Sequence, residues 1–136
     1  MEPDALVRLA RAARDTAYAP YSGFRVGAAV EVADGAVFTA GNVENASYGL
    51  TICAERAAAF AAVAAGHTRF RAVAVATNGP EPVAPCGACR QVLAEFAGDM
   101  PIHSDCGTRR QTWSLDALLP ARFDGPTAAS DDPNGY

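Results

Sequence analysis

Cys53-Ala54-Glu55-Arg56 and Pro85-Cys86-Gly87-Ala88-Cys89-Arg90 are the two stretches around which this sequence is organised. Each stands where the pattern starts a helix, and together they hold three thiols and one carboxylate. Cys86 and Cys89 are three residues apart, so both sulfurs can face one point when a helix starts there. Cys53 stands 33 residues before Cys86. Two helix N-termini stabilise negative charge, so the three cysteines are candidate thiolate ligands of one metal ion.

Zinc is the metal that this donor set favours. It prefers thiolate sulfur in tetrahedral geometry, and a catalytic zinc site keeps three protein ligands and one open position. Glu55 follows Cys53 by two residues, where its carboxylate can take a proton from water at the open position. Two alternatives stay open: a redox Cys-x-x-Cys pair, and a closed structural site with Cys106 as fourth ligand. Glu55 favours the open site, because a closed site has no use for a nearby carboxylate.

Two arginines follow the candidate ligand segments. Three thiolates around one zinc ion leave a negatively charged site, which makes the metal a weaker Lewis acid. We predict that Arg56 and Arg90 offset this charge by donating hydrogen bonds to the cysteine sulfurs.

Composition and charge limit the class of protein. The 136 residues are half hydrophobic and 19% charged, which predicts one globular domain over residues 1–123. The Gly-, Pro- and Asp-rich stretch 124–136 is predicted to be a flexible C-terminal tail. A net charge of −4 argues against a nucleic-acid partner. We find neither a signal peptide nor a membrane span, and therefore expect a cytoplasmic protein.

The hydrophobic pattern changes period along the chain. Apolar residues of the first segment recur at helical spacing, namely Leu6, Leu9, Ala10, Ala13 and Ala17. Beyond Pro20 the period becomes that of a strand, and Asp34-Gly35 is a strong hairpin signal. The predicted elements are a helix over 4–18, strands over 24–32 and 36–40, a loop over 41–49, a helix over 50–65, a strand over 72–77, a helix over 86–97, a strand over 101–104 and a helical turn over 115–119. This order predicts an α/β fold, a three-layer α/β/α sandwich around a mixed sheet.

The two cysteine stretches match the zinc-deaminase pattern of His or Cys-x-Glu followed by Pro-Cys-x-x-Cys. The chain therefore resembles that superfamily, and more narrowly the short cytidine deaminases that form homotetramers. The resemblance covers roughly residues 15–123 and implies a sheet of about five strands. Its quoted motifs are Ala19-Pro20-Tyr21-Ser22, Phe24-Arg25-Val26-Gly27-Ala28-Ala29, Gly41-Asn42-Val43-Glu44-Asn45-Ala46-Ser47-Tyr48, the two cysteine stretches with Gln91-Val92, and Leu118-Leu119-Pro120. The Asn42-Val43-Glu44-Asn45 segment points to free nucleosides.

The resemblance implies a role for each matched residue. One Zn²⁺ per chain would be held by Cys53, Cys86 and Cys89, with Glu55 as the proton shuttle. The reaction would be hydrolysis of cytidine and 2′-deoxycytidine to uridine and 2′-deoxyuridine with release of ammonia, as in pyrimidine salvage. The other matched residues are Asn42, Val43 and Glu44 at the ribose, where Asn42 and Glu44 bind the 3′-hydroxyl, Phe24 and Ala54 at the base, and Ala46, Tyr48 and Phe123 at a neighbouring subunit's pocket.

The residues matched to the ribose and the base can also be interpreted without the resemblance. Asn42 and Glu44 are two apart, so both side chains face one way in an extended segment, and an amide with a carboxylate can bind a sugar hydroxyl. Without the resemblance they indicate a solvated turn, and Phe24 a core residue. Two other functions remain: deamination of a modified cytosine nucleoside such as blasticidin S, and a structural-zinc binding module without turnover.

The match is loosest between Asp99 and Trp113. We predict a short last strand there and a solvated loop at Arg109-Arg110. His103 and Cys106 have no matched role and are predicted to be bystanders.

Overall fold

The computed structural model describes residues 1–125, so residues 126–136 of the predicted tail lie outside the described part of the chain. Within it, helices and strands alternate much as the hydrophobic pattern indicates. In chain order the elements are α1 (Pro3–Arg14), β1 (Val26–Val32), β2 (Val37–Gly41), a 3₁₀ turn (Tyr48–Leu50), α2 (Ala54–Ala64), β3 (Phe70–Thr77), α3 (Gly87–Phe96), β4 (Pro101–Asp105), β5 (Arg110–Ser114) and α4 (Leu115–Leu118).

The five strands form one mixed sheet in the order β2-β1-β3-β4-β5. Strand β3 runs parallel to β4, and the other neighbouring pairs are antiparallel. The hairpin predicted at Asp34-Gly35 joins β1 to β2, and Gly35 adopts φ +96°, which an L side chain rarely tolerates. The mixed sheet of about five strands is confirmed.

Helices cover both faces of the sheet. On one face, Leu6, Val7 and Ala10 of α1 pack on the small side chains of Ala29 and Ala74. On the other face, alanines of α2, together with Leu93 and Leu115, pack on larger side chains such as Val30, Val73 and Ile102. Because both faces are covered, β1 is buried from Gly27 to Val32, including Glu31. The three-layer α/β/α architecture is confirmed.

Two facing glycines allow α1 to lie against the sheet. Gly27 of β1 and Gly41 of β2 are register partners. A Cβ on Gly27 would stand 2.0 Å from the carbonyl oxygen of Ala10 and 2.3 Å from the nitrogen of Arg14, and a Cβ on Gly41 would stand 2.6 Å from Cα of Ala17. The backbone of α1 and of the segment that follows it therefore occupies the space that any side chain would need.

The first helix is shorter than predicted. It ends at Arg14 rather than at residue 18, because Tyr18 is extended and pairs with the segment of Val43: its N–H donates to the Asn42 carbonyl and its own carbonyl accepts from Glu44. The predicted buried face was also partly wrong. Leu9 is exposed and Val7 is fully buried.

Strand β5 is not among the elements predicted from the sequence. The solvated loop predicted at Arg109-Arg110 is wrong for Arg110, which begins β5 and pairs with Asp105 of β4. Its guanidinium also bonds the carboxylates of Asp105 and Asp4. The strand has few apolar side chains, so no hydrophobic alternation marks it, and its pairing with the adjacent β4 orders it.

The helices α2 and α3 begin later than the predicted residues 50 and 86. Cys53 is the residue before α2, and Cys86 is the residue before α3, both with extended backbone. The two helices contact each other. Their N-termini therefore bring the two cysteine stretches to one end of the sheet. None of the helices within residues 1–125 is both long and apolar enough to cross a bilayer.

Candidate active site

Three cysteine sulfurs converge at the N-termini of α2 and α3. The Sγ of Cys86 lies 3.7 Å from that of Cys53 and 3.5 Å from that of Cys89. All three sulfurs lie within 4.8 Å of one another. Four ligands at the usual Zn–S length in a tetrahedron stand about 3.8 Å apart, so the spacing fits zinc and leaves a fourth position for a non-protein ligand. Cys106 does not belong to this cluster in the described part of the chain, which disfavours the closed four-cysteine alternative.

The sulfurs of Cys53 and Cys89 share one proton. A hydrogen bond from the Cys89 thiol and another from the Arg56 guanidinium, against the opposing effect of burial, lower the pKa of Cys53 to about 5. The same hydrogen bond to Cys53, together with burial, raises the pKa of Cys89, because its proton is held between the two sulfurs. A divalent cation replaces such shared protons when thiolates bind it.

Glu55 is buried beside the cluster. It lies in the first turn of α2, and only 5% of its surface is exposed. Burial raises the pKa of Glu55 to about 7, with a smaller contribution from the nearby charge of Cys53. A carboxyl group held in this state can both accept and donate a proton near neutral pH.

The two arginines do different work. The Nη2 of Arg56 donates to the Sγ of Cys53 at 3.4 Å, and this bond keeps the pKa of Arg56 above its ordinary value. Arg90 makes no such bond. Its Nε donates to the Pro85 carbonyl at 2.7 Å and its Nη1 to the Leu118 carbonyl at 2.9 Å. The prediction that Arg90 donates to a cysteine sulfur is therefore wrong; it ties the loop before α3 to α4.

A cavity of about 360 Å³ opens from the cysteine cluster and is within the size range of small-molecule sites. Within residues 1–125, the charged side chains that line the cavity are those of Glu44 and Glu55. Neither arginine nor lysine lines it there. Most of the remaining wall is apolar. The lining residues are Ser22, Phe24, Val26, Asn42, Glu44, Thr51, Cys53, Ala54, Glu55, Val75, Val83, Ala84 and Cys86.

Asn42 and Phe24 both line the cavity, and the Asn42 amide is hydrogen-bonded to the backbone around Phe24. The amide oxygen of Asn42 accepts from the N–H of Val26, and its amide nitrogen donates to the carbonyl of Phe24, both at 2.9 Å. Asn42 therefore holds the entry to β1 while facing the cavity. The interpretation of Phe24 as a core residue is wrong, since 40% of its surface is exposed.

Glu44 stands at the mouth of the cavity, with its carboxylate bonded to the segment before β1. Its Oε1 accepts from the N–H groups of Tyr21 and Ser22 at 2.9 and 3.1 Å, and its Oε2 accepts from the Ser22 hydroxyl. Ser22 belongs to the Ala19-Pro20-Tyr21-Ser22 motif, for which the sequence predicts no role. Nothing in the local pattern could have paired Ser22 with a residue 22 positions away.

The remaining predicted site residues do not line the cavity. Val43 is not brought to the cavity; its N–H and carbonyl pair with Ile52. Ala46 and Phe123 are exposed. Tyr48 is also exposed and makes an edge-to-face contact with Tyr21, with ring centroids 5.8 Å apart.

The two residues without a matched role lie away from the cluster. His103 is buried in β4 and bonds the Thr112 hydroxyl at 2.8 Å through Nδ1, and burial lowers its pKa. Cys106 is buried at the end of β4 and contacts the Thr108 hydroxyl. Both therefore contribute to the β4–β5 hairpin.

A family model described as the cytidine and deoxycytidylate deaminase zinc-binding region matches residues 1–102, about three quarters of the chain. The chain belongs to this deaminase family. A cytidine deaminase of Sporosarcina psychrophila is 48% identical over 104 residues, 76% of each chain. The crystal structure of a cytidine deaminase from Burkholderia pseudomallei superposes with a TM-score of 0.86 at 48% identity and covers 90% of this chain and all of that one. Zinc is thus the cofactor that this deaminase fold and its cysteine cluster bind.

A blasticidin-S deaminase of Bacillus cereus is a more distant relative. It is 27% identical over 107 residues, 72% of this chain and 76% of that one. Its lower identity gives the modified-nucleoside alternative less support than the cytidine deaminases give to cytidine.

Proposed function

We propose that this deaminase hydrolyses cytidine and 2′-deoxycytidine to uridine and 2′-deoxyuridine with release of ammonia. The observation that carries the proposal is the buried carboxylate of Glu55, which stands beside three converging cysteine sulfurs and faces a cavity of nucleoside size. A structural-zinc module has no use for either feature. We propose that this reaction serves pyrimidine salvage.

In the proposed mechanism Cys53, Cys86 and Cys89 hold the zinc ion. Bound zinc supplies Lewis acidity, which lowers the pKa of water at the open fourth position. Glu55 accepts the proton released there and delivers it to N3 of cytosine. As the water oxygen bonds to C4, its second proton would pass through Glu55 to the amino group, the C4–N bond would break and ammonia would leave. One carboxylate thus serves as base and acid in turn, and the buried position of Glu55 keeps bulk water from competing for its proton.

The cavity wall supports a nucleoside as the substrate. Ala54 and Phe24 would contact the base, and Asn42 and Glu44 the 3′-hydroxyl of the sugar, since an amide and a carboxylate are both suited to a hydroxyl. Glu44 and Glu55 make this wall acidic. A 5′-phosphate would be repelled, so we propose free nucleosides rather than deoxycytidylate as substrates.

The proposed activity is tested by the ultraviolet absorbance change that accompanies loss of the cytosine amino group. Purified holoenzyme should act on cytidine and 2′-deoxycytidine, and far more slowly on deoxycytidylate and blasticidin S. Treatment with a chelator should abolish turnover, and added Zn²⁺ should restore it. Faster turnover of blasticidin S than of cytidine would make blasticidin S the substrate. A protein with full zinc content that turns over none of the four compounds would be a structural-zinc binding module.

Arg56 is proposed to offset the negative charge of the three thiolates through its bond to Cys53. We expect Arg56→Ala to lower zinc occupancy or to slow turnover by about tenfold, because a hydrogen bond to a charged group is lost. Zinc content by metal analysis and kcat for cytidine measure the two effects. Arg69→Ala is the matched control, since Arg69 is an exposed arginine remote from the cluster. An Arg56→Ala protein with unchanged zinc and rate would contradict this role.

We further propose that the chain assembles as a homotetramer, with Ala46, Tyr48 and Phe123 reaching a neighbouring subunit's pocket. Large apolar side chains that are exposed on the surface support this, among them Tyr21, Tyr48, Leu50, Phe60 and Phe123. Light scattering should give a mass about four times the 14.0 kDa of the chain, and a monomer would refute the assembly. The cytoplasm is the proposed location, because free cysteines that converge as metal ligands persist in a reducing compartment.

A further inference from the structure

Ser22 is bonded to both halves of the proposed nucleoside site. Its hydroxyl donates to the Oε2 of Glu44, on the side of the sugar. The same oxygen accepts from the backbone N–H of Phe24, on the side of the base, at 2.9 Å. Ser22 therefore joins the two groups directly, although Phe24 and Glu44 are 20 residues apart in the chain.

The local backbone fixes the position of the Ser22 hydroxyl. A serine hydroxyl that accepts from the N–H two residues later forms a small turn of the kind that serine and threonine favour. Gly23, between Ser22 and Phe24, adopts φ +71°, and a Cβ built there would meet nothing within 4 Å. The backbone angle and not crowding thus favours a glycine here, in the turn that the N–H of Phe24 closes on the Ser22 hydroxyl.

The hydrogen bonds to the Glu44 carboxylate leave about one of its acceptor sites free for a ligand. An ionised carboxylate offers about four acceptor sites. The N–H of Tyr21, the N–H of Ser22 and the hydroxyl of Ser22 fill three of them. The bond from the Ser22 hydroxyl is the largest cause that lowers the pKa of Glu44, so the carboxylate stays charged and accepts a hydroxyl strongly.

We propose that Ser22 is a positioning residue that orients the free acceptor site of Glu44 toward the sugar hydroxyl and sets Phe24 at a fixed distance from it. This inference rests on the proposed nucleoside deaminase activity. Ser22 acts through Glu44 and Phe24 and not on the reacting atoms. Its loss should therefore weaken substrate binding while the chemical step near Glu55 continues.

A double-mutant cycle with cytidine tests this role. Ser22→Ala should raise KM about tenfold with less than about a threefold change in kcat, because a hydrogen bond to a charged group is lost from a site that binds substrate. Ser22→Thr keeps the hydroxyl and should return KM close to that of the unmodified protein. Glu44→Gln should raise KM as well, and adding Ser22→Ala to it should raise KM by less than about a further threefold, since the partner of the hydroxyl is already neutral.

Each other outcome overturns the role. Independent, multiplicative effects of Ser22→Ala and Glu44→Gln would show that Ser22 does not act through Glu44. A loss confined to kcat, or a Ser22→Thr protein as impaired as Ser22→Ala, would also refute it. The two proposals fail differently: an unmodified protein without turnover of cytidine refutes the activity, whereas an active one with these results refutes only the role of Ser22.

Discussion

Glu55→Gln is expected to lower kcat for cytidine by about 10⁴-fold, at the upper end of what one general acid–base group contributes. The reason is that the same carboxylate moves the proton in every step of the proposed reaction, and glutamine of nearly equal size can neither accept nor deliver it. Zinc content should be unchanged, because the three sulfurs converge without help from Glu55. Absorbance kinetics and metal analysis of the purified variant measure both quantities.

Glu95→Gln is the matched control for this experiment. Glu95 lies in α3, is exposed, and stands outside the cavity wall, so its neutralisation should leave kcat within about twofold of the unmodified protein. A Glu55→Gln protein that keeps more than a tenth of the activity would remove Glu55 from the mechanism. Loss of zinc together with activity would instead assign Glu55 to metal binding.

Gly27→Ala is expected to lower the free energy of unfolding by about 3 kcal/mol, the upper part of the usual range for overpacking. The new methyl group would overlap the carbonyl oxygen of Ala10 and the nitrogen of Arg14, both main-chain atoms of α1. A rotamer change cannot relieve such an overlap, so α1 must move away from the sheet. Urea unfolding followed by circular dichroism measures the change.

Gly98→Ala is the control for the backbone effect of replacing glycine. A Cβ at Gly98 would meet nothing within 4 Å, and its φ is not in the left-handed region, so stability should change by less than about 0.5 kcal/mol. Equal stability of the Gly27→Ala and Gly98→Ala proteins would show that α1 can shift without cost. It would then be wrong that the glycines set the distance between helix and sheet.

Much of the fold follows from local pattern. The Asp34-Gly35 hairpin, the change of period beyond Pro20 and the alternation of helices with strands predicted the α/β/α layers, and the sheet confirmed them. Element ends were less accurate, as at α1, because Tyr18 pairs with a segment whose position depends on the sheet. Strand β5 was missed because it lacks an apolar alternation. Its side chains are mostly polar, and what orders it is pairing with β4 and the ion pair between Arg110 and Asp4, residues 106 positions apart.

For the candidate site, the sequence by itself determined the chemistry: three thiols at two helix starts, one carboxylate two residues from the first, and an amide and a carboxylate two apart. These are determined locally because spacing along one turn of helix or strand dictates which side chains share a face. Only the tertiary structure decided which groups meet across the chain. It placed Arg56 on a sulfur and Arg90 on two carbonyls, turned Asn42 toward β1, and bonded Ser22 to Glu44. Those contacts depend on how segments that are distant in the chain pack together, and the spacing of residues within one segment does not determine that packing.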